Sequence, residues 1–162
     1  MVFHSLGTLP KSQKGGMTKD RVAKSRRDKM ALVEEGRSHG ILVYSRDEPV
    51  GWCQYGLKEE LPRIDAGTNY RSLSLDTGGK KLWRITCFWV DRNHRRQGVA
   101  GLALRDALTS IRRQGGGLVE AYPAVRKGFP ADWTGTLSMF QKEGFEVVSR
   151  FGKYNFLVRR SI

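Results

Sequence analysis

Leu82-Trp83-Arg84-Ile85-Thr86-Cys87-Phe88-Trp89-Val90 leads into Asp91-Arg92-Asn93-His94-Arg95-Arg96-Gln97-Gly98-Val99-Ala100, and the chain then runs on to Gly116. The first piece is dense in β-branched and aromatic residues and too short for a free-standing helix, so it predicts a buried strand. In the last piece Ala100, Leu104, Ala107, Leu108 and Ile111 fall on one face at helical spacing, and Gly115 to Gly117 stop the helix. Strand, turn and helix follow one another within this stretch.

The turn carries the chemistry. Gly98 and Ala100 are small where a backbone must come close to a ligand, and the first amides of a helix have no partner inside it. Unpaired amides and the helix dipole make an anion site, to which Arg95 and Arg96 add full positive charge. A pyrophosphate suits such a site.

Arg95-Arg96-Gln97-Gly98-Val99-Ala100 resembles the Q/R-x-x-G-x-G/A signature of the GNAT superfamily of acyl-CoA-dependent N-acyltransferases. A strand expected at Gly117-Leu118-Val119-Glu120-Ala121-Tyr122 follows the helix. Further on, Ser138-Met139-Phe140-Gln141-Lys142-Glu143-Gly144-Phe145-Glu146-Val147-Val148 is similar to the family's late helix and Gly-Phe strand entry. The likeness spans roughly residues 40 to 160 with the elements in the family's order.

The resemblance implies an α/β (α+β) fold, the GNAT acyl-CoA N-acyltransferase fold, with a mixed twisted sheet flanked by helices. It implies acetyl-CoA as acyl-donor co-substrate, with Arg95, Arg96, Gln97, Gly98, Val99 and Ala100 cradling its pyrophosphate. It also implies a central strand splayed from its neighbour at a bulge, freeing backbone amides near Phe88 and Val90 for the pantetheine arm and the thioester carbonyl. A backbone oxyanion site of that kind needs no particular side chain.

An amine acceptor with a free pKa of about 10.4 must lose a proton before it attacks. Glu120, on the strand across the expected splay, is one candidate base, and Glu59 or Glu60 in a long loop are others. Equally, Glu120 reads as a sheet residue paired with a nearby Arg. The family's general-acid tyrosine falls at Phe140 here, which shifts that role to Tyr122 first and Tyr154 second. A thiolate with a pKa of about 8.5 can also leave without a strong acid.

The 162 residues, 39% of them apolar, fit a single domain over 1–162. No apolar run approaches a membrane span, and the start lacks a signal-peptide pattern, so a cytoplasmic protein without a membrane partner is expected. Cys53 and Cys87 read as free thiols, and His4, His39 and His94 are scattered, giving no support for a metal. The net charge of +13 exceeds what one coenzyme pocket requires. It leaves charged tRNA as an alternative acceptor to a small-molecule or protein amine, and Phe140 leaves a non-catalytic coenzyme-A-binding regulatory domain. A homodimer is left open.

In chain order, Met1 to Leu6 reads as the end of a strand, the family's first strand cut short, and residues 7 to 18 as a loop. Thr18 caps a helix from Lys19 to Glu35, where the family usually has two. Strands Gly40–Arg46 and Val50–Gly56 flank a turn at Asp47-Glu48-Pro49. The connection from Leu57 to Lys81 is long for a compact domain and is the candidate for part of the acceptor pocket. Residues 123 to 134, with Arg126-Lys127-Gly128-Phe129-Pro130, form an irregular connection. A helix from Thr136 to Glu143 and strands Phe145–Arg150 and Tyr154–Arg159 close the chain.

Overall fold

The computed structural model describes residues 19–124 and 133–162. The readings of Met1–Leu6, of the loop before Thr18, of Thr18 itself and of Arg126 to Pro130 lie outside them. The chain divides into two compact units, one reaching to His39 and the other running from Gly40 to Ile162.

In the first unit α1 spans Lys19–Glu34, as its sparse apolar pattern predicts. Asp20 sits in its first turn, where a negative charge meets the positive end of the helix dipole. Lys24 and Asp28, one turn apart, pair at 3.2 Å on the solvent side.

The second unit holds a mixed sheet, six-stranded among the described residues, in the order β1-β2-β3-β4-β6-β5. Its strands are β1 (His39–Ser45), β2 (Glu48–Leu57), β3 (Leu82–Val90), β4 (Leu118–Ala121), β5 (Glu146–Phe151) and β6 (Asn155–Ser161). Short helix α2 (Thr68–Arg71) lies between β2 and β3, α3 (Val99–Arg113) between β3 and β4, and α4 (Leu137–Lys142) ahead of β5. β3 and β4 are parallel because α3 carries the chain back between them, whereas β2–β3, β4–β6 and β5–β6 are antiparallel. This is the α/β architecture that the sequence implies.

Two local readings change. The β1–β2 turn is Arg46-Asp47, with Arg46 left-handed at φ 54°, and Glu48 and Pro49 already belong to β2. The connection from Lys58 to Lys81 is no plain loop: it makes 3-10 turns at Lys58–Glu60 and Pro62–Ile64 and then α2.

One face of the sheet forms the core. Trp83, Ile85, Val119, Ala121 and Val158 meet Ala103, Leu104, Ala107, Leu108 and Ile111 of α3, all buried. That is the helix face read from spacing, except that Ala100 is only partly buried. Cys53 and Cys87 are buried and form no disulfide, and burial pushes the Cys53 thiol up. Among the described residues, no helix is long and apolar enough to cross a membrane.

Leu104 has no exposed surface, whereas Leu102 on the same helix is 41% exposed. Leu104→Ala should therefore cost about 3 kcal/mol in urea unfolding, from lost transfer energy plus a cavity. Leu102→Ala should stay within about 0.5 kcal/mol of wild type.

Candidate active site

The site begins where β3 ends. Asp91 closes the strand with a side-chain cap on the amide of Asn93, and its carboxylate lies 3.0 Å from His94 Nδ1. The His94 contact, followed by the Asn93 amide, holds that carboxyl below the usual carboxylate range. A 3-10 turn over Arg92–His94 then hands the chain to the basic loop. Arg95 Nε donates to the Val90 carbonyl at 3.2 Å and Gln97 Nε2 to the Asn93 carbonyl at 2.9 Å, so two side chains of the motif brace the loop.

Arg96 and Gly98 both take left-handed backbone, at φ 61° and φ 83°. For an arginine that conformation costs roughly 1 kcal/mol. Gly98 is the N-cap of α3, offers no side-chain cap, and a Cβ placed on it would meet nothing within 4 Å. The first helix amide to find an acceptor beyond the helix itself is that of Leu102, on the Gly98 carbonyl at 2.9 Å. Among the described residues the N–H groups of Val99, Ala100 and Gly101 have no acceptor, and no side chain fills the space in front of Gly98. Gly101 joins the motif's own residues here. Val99 turns its side chain inward: a Cβ on Gly51 of β2 would stand 2.4 Å from Val99 Cγ1.

Next to this helix start the two parallel strands part. β3 and β4 pair from Leu82 opposite Leu118 to Ile85 opposite Ala121 and no further. On the other side of β3 the register with β2 jumps from Cys87 opposite Gln54 to Ile85 opposite Tyr55, leaving Thr86 as the extra residue of a β-bulge. Bulge and splay thus coincide. The Asp91 amide donates to Val50 on β2, so by alternation the Phe88 and Val90 amides point the other way, into the splay. Val90 has no acceptor among the described residues. The expectation for Phe88 needs correcting: its amide is not free, because it donates to the carbonyl of Trp133.

The opposite face of the sheet carries charge. The registers set Arg84 beside Glu120 and Glu120 beside Arg159, across β3, β4 and β6. Arg84 and Glu120 have no accessible surface. Glu120 Oε2 receives Arg159 Nε at 2.9 Å and Tyr70 Oη at 3.3 Å, Oε1 receives the Tyr122 hydroxyl, and Arg84 Nε stands 3.8 Å from Oε1. The segment after β2 closes over this row. Its Asp65 grips Arg84 through two contacts of 2.8 Å, and Tyr70 lies 4.9 Å under the guanidinium. Burial works against the Arg84 charge, yet Asp65 and the two tyrosines hold it above the ordinary arginine range. Burial, reinforced by the Glu120 charge, pushes the Tyr122 hydroxyl well above its usual value.

Of the two readings of Glu120, the geometry is that of the paired sheet residue. A carboxylate with no accessible surface and donors on both oxygens cannot itself meet an incoming amine. Tyr122 is 5% exposed and its proton is engaged by Glu120. Glu60 is committed as well, capping the Leu57 amide at 2.9 Å, while Glu59 is exposed. Tyr154 sits in the β5–β6 turn with Lys153 Nζ 5.2 Å over its ring. Phe140 is fully buried between Phe88 and Phe145, with ring centroids 6.0 and 5.1 Å away. The acid position of the family is therefore core here. Among the described residues no three His, Cys, Asp or Glu side chains gather as a metal site.

A bulged and splayed parallel pair that ends beside an uncapped, glycine-opened helix marks the candidate site of this α/β fold. A sequence model of the acetyltransferase (GNAT) family matches residues 9–130, and the chain belongs to that family. No curated protein matches it. Among solved structures it is similar to a protein from Desulfovibrio desulfuricans titled an acetyltransferase of the GNAT family (TM-score 0.57, 16% identity, 93% of this chain and 86% of that one). It is similar also to an acetyltransferase from Thermus thermophilus (TM-score 0.55, 17% identity, 91% and 79% covered). The third is the PaiA N-acetyltransferase of Thermoplasma acidophilum in complex with coenzyme A (TM-score 0.55, 10% identity, 91% and 82% covered).

Glu120→Ala should destabilise the fold by about 3 kcal/mol in urea unfolding, because it removes the buried carboxylate that Arg159 and the Tyr122 hydroxyl donate to. A second outcome concerns acid. The Arg84 contact holds the Asp65 carboxyl below its usual range. That contribution is complete above the unfolded value of about 3.9 and is lost as pH falls through the lower folded value. The stability gap between wild type and Asp65→Asn should thus hold from neutral pH down to about 4 and close below it.

Proposed function

We propose that this chain is an acetyl-CoA-dependent N-acetyltransferase, moving an acetyl or short acyl group to a primary amine by direct attack in a ternary complex. The observation that carries the reading is the row of amides at the start of α3 that find no acceptor among the described residues, opened by a Gly98 with room beside it and preceded by two arginines. In this reading the N–H groups of Gly98, Val99, Ala100 and Gly101 take the pyrophosphate, and Arg95 and Arg96 balance its charge. Gln97 keeps the loop in shape through its bond to Asn93. The Val90 amide, directed into the splay, takes a carbonyl of the pantetheine arm. The Thermoplasma neighbour's complex with coenzyme A supports a coenzyme on a fold of this kind.

Acetyl-CoA supplies an activated acyl carbon and a thiol leaving group whose pKa of about 8.5 makes the thiolate stable enough to depart unaided. The chain's own task is then to orient the thioester and stabilise its oxygen with main-chain donors. Tyr122 keeps its proton across neutral pH, since burial and Glu120 raise it. Giving that proton to a thiolate would be uphill, so Glu120 ties β4 to β3 and β6 and Tyr122 completes the hydrogen bonding of Glu120. The proton shed by the attacking amine passes through solvent to the departing thiolate.

Acetyl-CoA should raise the Tm of the wild type and not that of Gly98→Trp, whose indole would occupy the anion space; no rise in the wild type, or an equal rise in both, would overturn the binding reading. Tyr122→Phe should keep kcat within about threefold. A loss of a hundredfold or more, on the order expected for removing a general acid, would return Tyr122 to that role.

The net charge of +13 favours a second reading, in which the amine belongs to charged tRNA. Its binding would weaken steeply as salt rises, and a flat salt response would remove this reading.

A further inference from the structure

The splay between β3 and β4 is filled by the chain itself. Continued at its constant offset, the β3–β4 register would bring Phe88 opposite Ala124. Instead the Phe88 amide donates to the Trp133 carbonyl, and Thr136 forms a parallel bridge with Ala124. Asn155 of β6 bridges Ala124 as well, extending the β4–β6 ladder, so Thr136 must lie on the flank of Ala124 that faces β3. The segment Trp133 to Thr136 is thus inserted between the two strands just past the bulge. It is close-packed there: Gly135 is left-handed at φ 77°, and a Cβ on it would stand 2.6 Å from Met139 Cε, 3.1 Å from Phe140 Cε2 and 3.3 Å from Phe88 Cε2. Thr136 is also the N-cap of α4, its hydroxyl accepting from the Met139 amide at 3.3 Å. The wedge and the start of α4 therefore move together or not at all.

We propose that Trp133–Thr136 is an internal competitor for the acyl-pantetheine arm. The Trp133 carbonyl holds the Phe88 amide, a donor that the thioester oxygen would use, and the wedge withdraws from Phe88 before acyl transfer. This rests on the coenzyme reading given above. The exchange replaces one carbonyl acceptor with another, so the Phe88 amide, in a residue only 5% exposed, is never left buried without a partner. An equilibrium between two such bonds can be tipped by a ligand with modest preference for one state. The nucleotide half of the coenzyme binds at α3 without disturbing the wedge, whereas the pantetheine half binds only the withdrawn fraction, and its apparent affinity falls by that fraction.

Gly135→Ala tests this directly, because it strains the wedge at a left-handed position and crowds Met139 and the rings of Phe140 and Phe88 while leaving the amides at the head of α3 untouched. Calorimetric titrations should show acetyl-CoA binding the variant roughly fivefold tighter than wild type, and phosphoadenosine diphosphate, the nucleotide half alone, binding both equally. Unchanged or weaker binding of acetyl-CoA would overturn the proposal. Hydrogen exchange on wild type gives an independent readout. The Met139 and Phe140 amides donate to the Thr136 carbonyl at 3.1 and 3.4 Å and should lose protection when acetyl-CoA is added, while residues 96–101 gain it. Protection gained at 96–101 with no loss at Met139 and Phe140 would sink the wedge and leave the coenzyme reading standing. No gain at 96–101 would sink both.

Discussion

An α-helix begins with N–H groups that nothing inside it can satisfy, and at the start of α3 nothing else among the described residues satisfies those of Val99, Ala100 and Gly101. The left-handed Gly98 turns the chain so sharply that no side chain reaches back as a cap. Everything on the functional side of the molecule is arranged around that helix start. The apolar face of α3 is sunk in the sheet, which fixes where the helix begins. The Asp91 cap and the side chains of Arg95 and Gln97 fix how the chain arrives. Positive charge then collects where the dipole already favours an anion.

A second constraint keeps the splay in place. Parallel strands that part after four residue pairs need something to hold the paired portion. The row Arg84, Glu120 and Arg159, closed over by Asp65 and Tyr70, ties β3 to β4 and β4 to β6 at that point. Charges buried this deeply cost desolvation, which only close and complete pairing offsets. Their contribution is register: a slip of β4 by one residue would turn Glu120 toward the apolar core and take its carboxylate from both arginines. Function follows from that register, because the bulge at Thr86 and the end of pairing at Ile85 must coincide for a donor to face the gap.

Much of this was legible in the sequence for a physical reason. Strand β3 and helix α3 have strong, unambiguous periods, and the glycine that opens α3 is required by its backbone rather than by packing. Glu120 was legible in part, since a carboxylate amid Leu118, Val119 and Ala121 must find a partner. Arg84 gave the same signal inside an apolar strand, yet which residues would meet it depended on Asp65 and Tyr70, brought there by turns of the long connection that carry no period. Phe140 stands where the resemblance implies a hydroxyl, and it is buried against Phe88 and Phe145, a packing role that its position in the sequence does not announce. Pro49 misled the reading of the hairpin, because a proline near the start of a strand looks like a turn residue. Trp133 was invisible: a main-chain carbonyl that occupies Phe88 is set by where the chain runs, and no side-chain pattern announces it.

The account stands on the amides at the head of α3, and the most direct measurement observes those amides themselves. In isotope-labelled protein titrated with coenzyme A, the amide resonances of Val99, Ala100 and Gly101 should move first and furthest, downfield as they gain an anionic acceptor. If those three stay fixed while others shift, or if the coenzyme shifts nothing, the helix start is not a diphosphate site and the central claim is wrong.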